Sequence, residues 1–181
     1  MERELAIYVS AAPEMDAECE LLGQLLAQLT PAVRWSIKRT PGHHEGGNPD
    51  LPALRASPFY LILLGMDIVA PMGVEWMAAQ QAHSTVFAYR SAAAIPSPAA
   101  TTFARNAGVN WTLYTTPLDL QRQFERALIQ ALVNGTPGYG LELEDIEALA
   151  ARLKELEKQS PGPESEERRG AGRGGIILPR G

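Results

Sequence analysis

The sequence contains a single cysteine, Cys19, among its 181 residues. One thiol cannot form an internal disulfide, and it cannot supply a cysteine-based zinc cluster. An unpaired thiol is typical of the reducing cytosol, so we interpret Cys19 as a packing residue.

The chain also lacks a long hydrophobic run. Its N-terminus, "MERELAIYVS", carries charges where a signal peptide needs an apolar centre. The longest apolar stretch, "FYLILLGM", is far shorter than the roughly 20 residues that cross a bilayer. We therefore expect a soluble, cytoplasmic protein that does not contact a membrane.

Positive charge is scarce as well. The formal net charge is -5 and the isoelectric point is about 5.3. A protein that binds nucleic acid or an anionic membrane usually has a basic surface. The sequence thus predicts neither partner, while its 45% hydrophobic content suffices for one domain with a core.

Several catalytic motifs are missing from the sequence. It has no GxxxxGK[ST] phosphate loop and no GxGxxG fingerprint after its first apolar run. It has no GxSxG turn of the kind found in α/β-hydrolases. These absences argue against P-loop nucleotide hydrolysis, ordinary dehydrogenase chemistry and serine hydrolysis.

What the sequence does contain is an alternation of short β-rich runs with helical patterns. Five strands are predicted, at "LAIYV" (5–9), "VRWSIK" (33–38), "FYLILLG" (59–65), "TVFAYR" (85–90) and "VNWTLY" (109–114). The third run is apolar at consecutive positions, which is expected when helices cover both faces of a sheet. The predicted fold is α/β, a flavodoxin-like, doubly wound, five-stranded parallel sheet.

The composition changes after this α/β domain, which we assign to residues 1–135. Residues 141–159 form a charged helix with an apolar stripe, which could dock on the domain or pair with another helix. Residues 160–181 are rich in glycine, proline and charge, and we predict that they are disordered. Residues 174–181, "GGIILPRG", are either a plain extension or a peptide that binds a protein partner.

A candidate site follows from the predicted topology. In doubly wound sheets, ligands bind beyond the carboxyl ends of the strands, where the strand order reverses. The residues expected there are Ser10, Arg39, the loop 39–50, Gly65, Asp67 and Glu75. Trp76 and Tyr60 are aromatic side chains that could stack on a base.

Glu75 is the residue on which chemistry would depend. It follows Pro71 by four residues, in the first turns of a predicted helix, where the helix dipole favours a negative charge. An ionised carboxylate can attack or stabilise the oxocarbenium-like sugar that forms when a glycosidic bond breaks. If the leaving group is a cationic pyridinium, no separate acid is needed.

Each candidate also has a purely structural explanation. Glu75 could be a surface glutamate that stabilises its helix, and Trp76 could belong to the core. Asp67 could form the turn between strand and helix, and Ser10 could begin a helix. His43 and His44 are adjacent in a loop without a clear third ligand, so we predict no metal site.

The order of these segments resembles a known family. "IYVSAAPEMDAECELLGQLLAQL", "LRASPFYLILLGMDIVAPMGVEWMAA", "VFAYR" and "FARNAGVNWTLYTTPLDLQRQFERAL" resemble the bacterial TIR-like domains over residues 4–134. The similarity is to an uncharacterised defence and signalling branch, related to the Rossmannoid nucleoside deoxyribosyltransferases. In those enzymes a helix after the third strand carries the catalytic glutamate, and the resemblance places Glu75 there.

Two functions are consistent with the sequence. The first is an enzyme that cleaves the N-glycosidic bond of NAD or a nucleoside, with Glu75 as the carboxylate and Asp67 orienting ribose hydroxyls. NAD would then be a substrate, and no cofactor is predicted. The second is a non-catalytic adaptor that associates with copies of itself and recruits a partner through residues 174–181.

Overall fold

The computed structural model describes residues 3–29, 33–41, 47–135 and 139–159. The predicted tail 160–181 and the loop residues 42–46, which include both adjacent histidines, lie outside the described residues. Five strands are present: β1 (Arg3–Ala11), β2 (Val33–Arg39), β3 (Phe59–Leu64), β4 (Thr85–Ser91) and β5 (Thr112–Tyr114). The α-helices are α1 (Asp16–Leu29), α2 (Leu51–Ala56), α3 (Ala70–Ala82), α4 (Pro98–Asn106), α5 (Pro117–Asn134) and α6 (Leu143–Gln159).

The five strands form one parallel sheet in the order β2-β1-β3-β4-β5. This is the flavodoxin-like arrangement, and it confirms the predicted fold class. Because the strand order reverses at β1, the carboxyl ends of β1, β2 and β3 lie side by side.

The burial of β3 explains why its sequence is apolar without alternation. All six residues of this strand are buried, and their side chains point to opposite faces in turn. Phe59 and Leu61 join a core formed with α1, α5 and α6, whereas Tyr60 and Ile62 join a second core formed with α2, α3 and α4. The central strand is therefore covered on both faces, as the sequence predicts.

Short polar side chains begin several helices. The hydroxyl of Thr116 accepts a hydrogen bond from the Asp119 amide at 3.1 Å, and Pro117 occupies the first turn of α5. Thr116 is therefore the N-cap of α5. β5 is shorter than predicted, since it begins at Thr112, and Gly108 before it adopts a φ of 70° that favours glycine.

The C-terminal helix α6 docks on the domain instead of standing alone. Leu149 and Leu156 are buried in the core next to α5, whereas Leu143, in the same predicted stripe, is 72% exposed. Arg152 donates to the buried Glu125 carboxylate of α5 at 2.7 and 3.3 Å. Apolar burial and this ion pair together hold α6 against α5.

The helices of the described ranges are too short or too polar to span a bilayer.

Candidate functional site

The centre of the candidate site is a carboxylate that is completely buried. Glu75 in the second turn of α3 has no exposed surface. Its Oε1 accepts a hydrogen bond from the Tyr8 hydroxyl at 2.8 Å. Its Oε2 accepts two, from the Ser10 hydroxyl at 2.5 Å and from the Thr40 hydroxyl at 2.7 Å.

The fold explains why these three hydroxyls converge. Tyr8 and Ser10 are two residues apart on β1, so both side chains point to the face that α3 covers. Thr40 follows the last residue of β2, and its amide continues the sheet by bonding the Val9 carbonyl at 3.0 Å. The site therefore joins β1, the end of β2 and α3.

The electrostatics of this cluster are unusual. Among the described residues, no lysine, arginine or histidine pairs with Glu75, so hydroxyl donors alone replace its lost hydration. Burial, and then the neighbouring Glu75 charge, raise the pKa of Tyr8 well above its ordinary value of 10. Tyr8 thus stays protonated and remains a donor to the carboxylate.

A surface cleft of about 530 Å³ lies beside this cluster. Its walls are residues 47–49 and Leu51 on one side and Ala70, Pro71 and Val74 on the other. Val74 directly precedes Glu75 in α3. Tyr8 lies close enough to Asp50, in the cleft wall segment, for the Asp50 charge to contribute to its raised pKa. None of Glu75, Tyr8, Ser10 and Thr40 lines the cleft itself, and Val74 and the Asp50 segment connect the cleft walls to the cluster.

Asp67 and Gly65 lie at the carboxyl end of β3, as expected, but in a different cluster. The Asp67 carboxylate accepts hydrogen bonds from the Ser97 hydroxyl at 2.6 Å and the Ile68 amide at 2.8 Å, and both bonds lower its pKa. Its own amide donates to Glu14 at 3.1 Å. Asp67 has no hydrogen bond to Glu75. Its described contacts connect the loop after β3 to the turn before α1 and to the start of α4, which is a structural role.

The remaining predicted ligand-binding residues also have structural partners. Arg39 donates to Asp16 at 2.6 Å on the surface. Trp76 is 5% exposed and packs against the rings of Tyr60 and Phe103. Gly65 is buried beneath the turn before α1, with Met15 above it. Of the predicted site, Ser10 and, from the loop 39–50, Thr40 hydrogen-bond Glu75.

Sequence reasoning placed the loop 39–50, which contains Thr40 and residues 47–49, at the site, but it missed the donor Tyr8 and the cleft. Tyr8 carries a usable signal, because it shares a strand face with Ser10 and would be unusual as a buried tyrosine without a partner. Within the predicted loop no signal singles out Thr40 or residues 47–49, and Val74 carries none either. Their positions depend on how the segment after β2 crosses the end of the sheet.

No metal centre is found in the part of the chain that the structure describes, where no three His, Cys, Asp or Glu side chains converge.

Comparison of the chain with protein-family models, with curated proteins and with solved structures gives no match. The functional argument therefore depends on the geometry of this site.

Proposed function

We propose that this protein cleaves an N-glycosidic bond, in a nicotinamide dinucleotide or a nucleoside, with the Glu75 carboxylate as the group that meets the sugar. The observation that carries the proposal is a fully buried carboxylate that pairs with no lysine, arginine or histidine of the described ranges, at the strand ends where sheets of this topology bind ligands. Burying a carboxylate costs stability, so its position at a ligand-binding edge of the sheet supports a functional role.

The hydrogen bonds define how the carboxylate would act. Ser10 and Thr40 both donate to Oε2, while only Tyr8 donates to Oε1. Tyr8 and Ser10 bond one oxygen each from within β1, and these two bonds fix the orientation of the carboxylate before the substrate arrives. Thr40 shares Oε2 with Ser10, so Oε2 is the oxygen that becomes available to the anomeric carbon when Thr40 moves.

Access to the carboxylate requires one of its donors to move. Tyr8 and Ser10 are held within β1, in the middle of the sheet, and both are fully buried. Thr40 is half-buried and lies beyond the end of β2. Substrate entry therefore displaces Thr40, and a ribose hydroxyl is the group that would replace its hydrogen bond.

The resemblance to TIR-like domains supplies the biological part of the proposal. It suggests that the activity belongs to a bacterial defence or signalling system and that assembly with further copies of the chain activates it. Assays therefore include both dilute protein and protein concentrated by a crowding agent.

The experiment is to incubate the purified chain with NAD and with nucleosides and to measure the released base by chromatography. We expect Glu75→Gln to lower the rate roughly a hundredfold or more, because the amide cannot act as the anionic group. Glu125→Gln is the matched control, since Glu125 is also buried but lies on the opposite face of the sheet. No release under either condition would overturn the proposal.

One observation favours a second function, that of a non-catalytic adaptor. The hydrogen bonds of Glu75 connect α3 to β1 and to the end of β2, which is also what a purely structural carboxylate would do. In that case residues 174–181 would recruit a protein partner. Deleting residues 160–181 would then abolish capture of that partner, while Glu75→Gln in a correctly folded chain would not.

A further inference from the structure

Two loops at the carboxyl edge of the sheet expose apolar side chains next to a pair of carboxylates. We define the edge patch as Met66 and Asp67 after β3, Ile95 after β4, and Glu14 before α1. We propose that the edge patch binds residues 173–180 of the same chain. This inference goes beyond the proposed function and does not depend on it, because the edge patch is a different surface from the buried carboxylate cluster.

The apolar part of the edge patch is open to solvent. Met66 is 53% exposed and Ile95 is 88% exposed. The Ser97 amide donates to the Met66 carbonyl at 2.7 Å, so the two loops lie side by side. Ala92 and Ala93, in the loop that contains Ile95, are exposed as well. Neighbouring exposed apolar residues mark interaction sites more often than scattered single ones do.

The acidic part of the edge patch consists of two exposed carboxylates that lie together. The Asp67 amide donates to Glu14 Oε1 at 3.1 Å, which places the two residues in contact. The Ser97 hydroxyl and the Ile68 amide both donate to Oδ1 of Asp67, and these bonds hold the pKa of Asp67 below its ordinary value. Asp67 is therefore ionised at neutral pH. Its Oδ2 accepts no hydrogen bond within the described ranges, so this oxygen can accept one from a cation.

The charge of the edge patch is not compensated within the part of the chain that the structure describes. None of the ion pairs found there includes Asp67 or Glu14, although Arg90 lies near the end of β4. A negative patch repels nucleic acid and anionic lipid. A second copy docked through the same patch would bring like charges together, which is unfavourable. The ligand that fits is therefore a cationic segment with apolar side chains.

Residues 173–180, "RGGIILPR", have this composition. Their aliphatic residues, 176–178, lie between Arg173 and Arg180, and the sequence from 168 to 181 contains no acidic residue. At about 3.3 Å per residue, an extended segment places each arginine roughly 7–10 Å from the nearest aliphatic residue. The aliphatic side chains can therefore cover the apolar part of the edge patch while a guanidinium reaches the carboxylates. Arginine pairs with carboxylates through two parallel hydrogen bonds.

The C-terminal helix runs towards the same edge of the sheet. Because α5 follows β5, it begins at the carboxyl edge. Tyr139, before α6, packs on Phe59 at the amino end of β3, and Arg152 within α6 pairs with Glu125 near the middle of α5. α6 therefore runs back alongside α5, from the amino edge towards the carboxyl edge.

The connection between α6 and the segment is long enough. Residues 160–172 can span at most about 45 Å, whereas a domain of this size has a radius of gyration of only about 15 Å. Attachment also keeps the local concentration of the segment at about the millimolar level, so even a weak site is filled. A separate protein partner of residues 174–181 would have to compete with the edge patch.

The decisive experiment attaches a nitroxide spin label next to the segment and records the amide NMR spectrum of the isotopically labelled full chain. Gly181→Cys introduces the attachment point. The natural cysteine does not compete for the label, because Cys19 is buried and burial raises the pKa of its thiol to about 11. We expect the amide signals of residues 66–67 and 92–95 to lose most of their intensity relative to the reduced label. Signals of residues 33–35, at the amino edge, should keep theirs.

Two exposed residues test the apolar contribution. Ile95→Ser should recover at least about half of the lost intensity, because it removes apolar surface from the edge patch. Ile177→Ser should have the same effect from the side of the segment. Leu143→Ser is the matched control, since Leu143 is also exposed, at 72%, but lies at the start of α6. No recovery in Ile95→Ser, or equal recovery in the control, would contradict the apolar contact.

A pair of substitutions tests the contribution of charge. Glu14→Gln combined with Asp67→Asn keeps an acceptor oxygen for the described hydrogen bonds but removes both charges. This variant should recover the signals, and so should raising the ionic strength from about 0.05 to about 0.5 M. Glu144→Gln combined with Glu147→Gln is the control, because these exposed acids lie on α6. Unchanged signal loss in the first pair would contradict the pairing of arginine with the edge patch.

Mixed samples show whether the segment binds its own chain. Isotopically labelled chains without the nitroxide are mixed with unlabelled chains that carry it, and we expect no signal loss at residues 66–67. A loss as large as in the single chain would mean that the segment binds another copy, and the proposal would be wrong. It would also be wrong if the spin-labelled chain showed no loss at the edge patch, or an equal loss at both edges of the sheet.

Discussion

Two buried glutamates in this fold are compensated in different ways. Glu125 forms an ion pair with Arg152, the usual arrangement for a buried charge. In the described part of the chain, the partners of Glu75 are hydroxyls, each of which is a neutral donor. Hydroxyl donors satisfy the lone pairs but do not cancel the charge, so Glu75 retains an electrostatic influence on whatever binds beside it.

A single glycine shows how tightly the strand ends are packed. A Cβ atom at Gly65 would lie 2.6 Å from the Met15 sulfur and 3.2 Å from a Glu14 oxygen, whereas one at Gly73 would meet nothing within 4 Å. A β-carbon at position 65 would therefore force the buried Met15 side chain and the Glu14 side chain to shift.

We expect the two glycine substitutions to change stability in opposite directions. Gly65→Ala should lower the free energy of unfolding by roughly 1–3 kcal/mol because of overpacking. Gly73→Ala should raise it by about 0.5–1 kcal/mol, since alanine loses less backbone entropy in a helix. Urea denaturation measures both, and equal effects would show that the close approach at Gly65 is absent in solution.

Among the elements, α6 shows that docking buries only part of the apolar stripe that a sequence predicts. Its apolar stripe includes Leu143, Ile146, Leu149, Leu153 and Leu156. Leu149 and Leu156 enter the core, but the first turn of the helix, with Leu143, projects beyond it. The stripe predicts an amphipathic helix, and contact with α5 decides which leucines are buried.

The stability of α6 docking can be measured with two leucines of the same helix. Leu149→Ala should lower the free energy of unfolding by about 2–4 kcal/mol, because it leaves a cavity between α6 and α5. Leu143→Ala removes the same atoms from an exposed position and should change it by less than about 0.5 kcal/mol. Equal values from urea denaturation would mean that α6 does not dock.

At the scale of the whole molecule, the two cores bury several tyrosines. Burial is the largest cause of a raised pKa in four of them, Tyr8, Tyr60, Tyr89 and Tyr114. The protonated form of each tyrosine is therefore favoured in the folded chain, and its ionised form is favoured in the unfolded chain. Above the ordinary tyrosine pKa of about 10, the unfolded chain releases these protons first, so stability falls as pH rises.

Alkaline unfolding should consequently coincide with tyrosine ionisation. We expect the loss of circular dichroism and the rise of tyrosinate absorbance to follow one cooperative transition that begins above about pH 10. Ionisation of these four tyrosines near pH 10 in a chain that keeps its circular dichroism would contradict this prediction.

The sequence alone determined the alternation of strands and helices, the parallel sheet and the placement of Glu75 beside the strand ends. Those features follow from local rules, because side-chain periodicity reports which faces are covered and caps such as Thr116 mark helix starts. The same rules brought Ser10 and Glu75 to one site.

Only the tertiary structure decided what surrounds the carboxylate. Tyr8 and Thr40 meet Glu75 across 67 and 35 residues of sequence, and such contacts depend on the strand order and on the path of the chain after β2. Arg39 pairs with Asp16 and not with the Glu75 cluster, and Trp76 packs against Tyr60 and Phe103. No local pattern in the sequence identifies these residues as partners. Local periodicity fixes the direction of a side chain, but its partner is set by packing between distant segments.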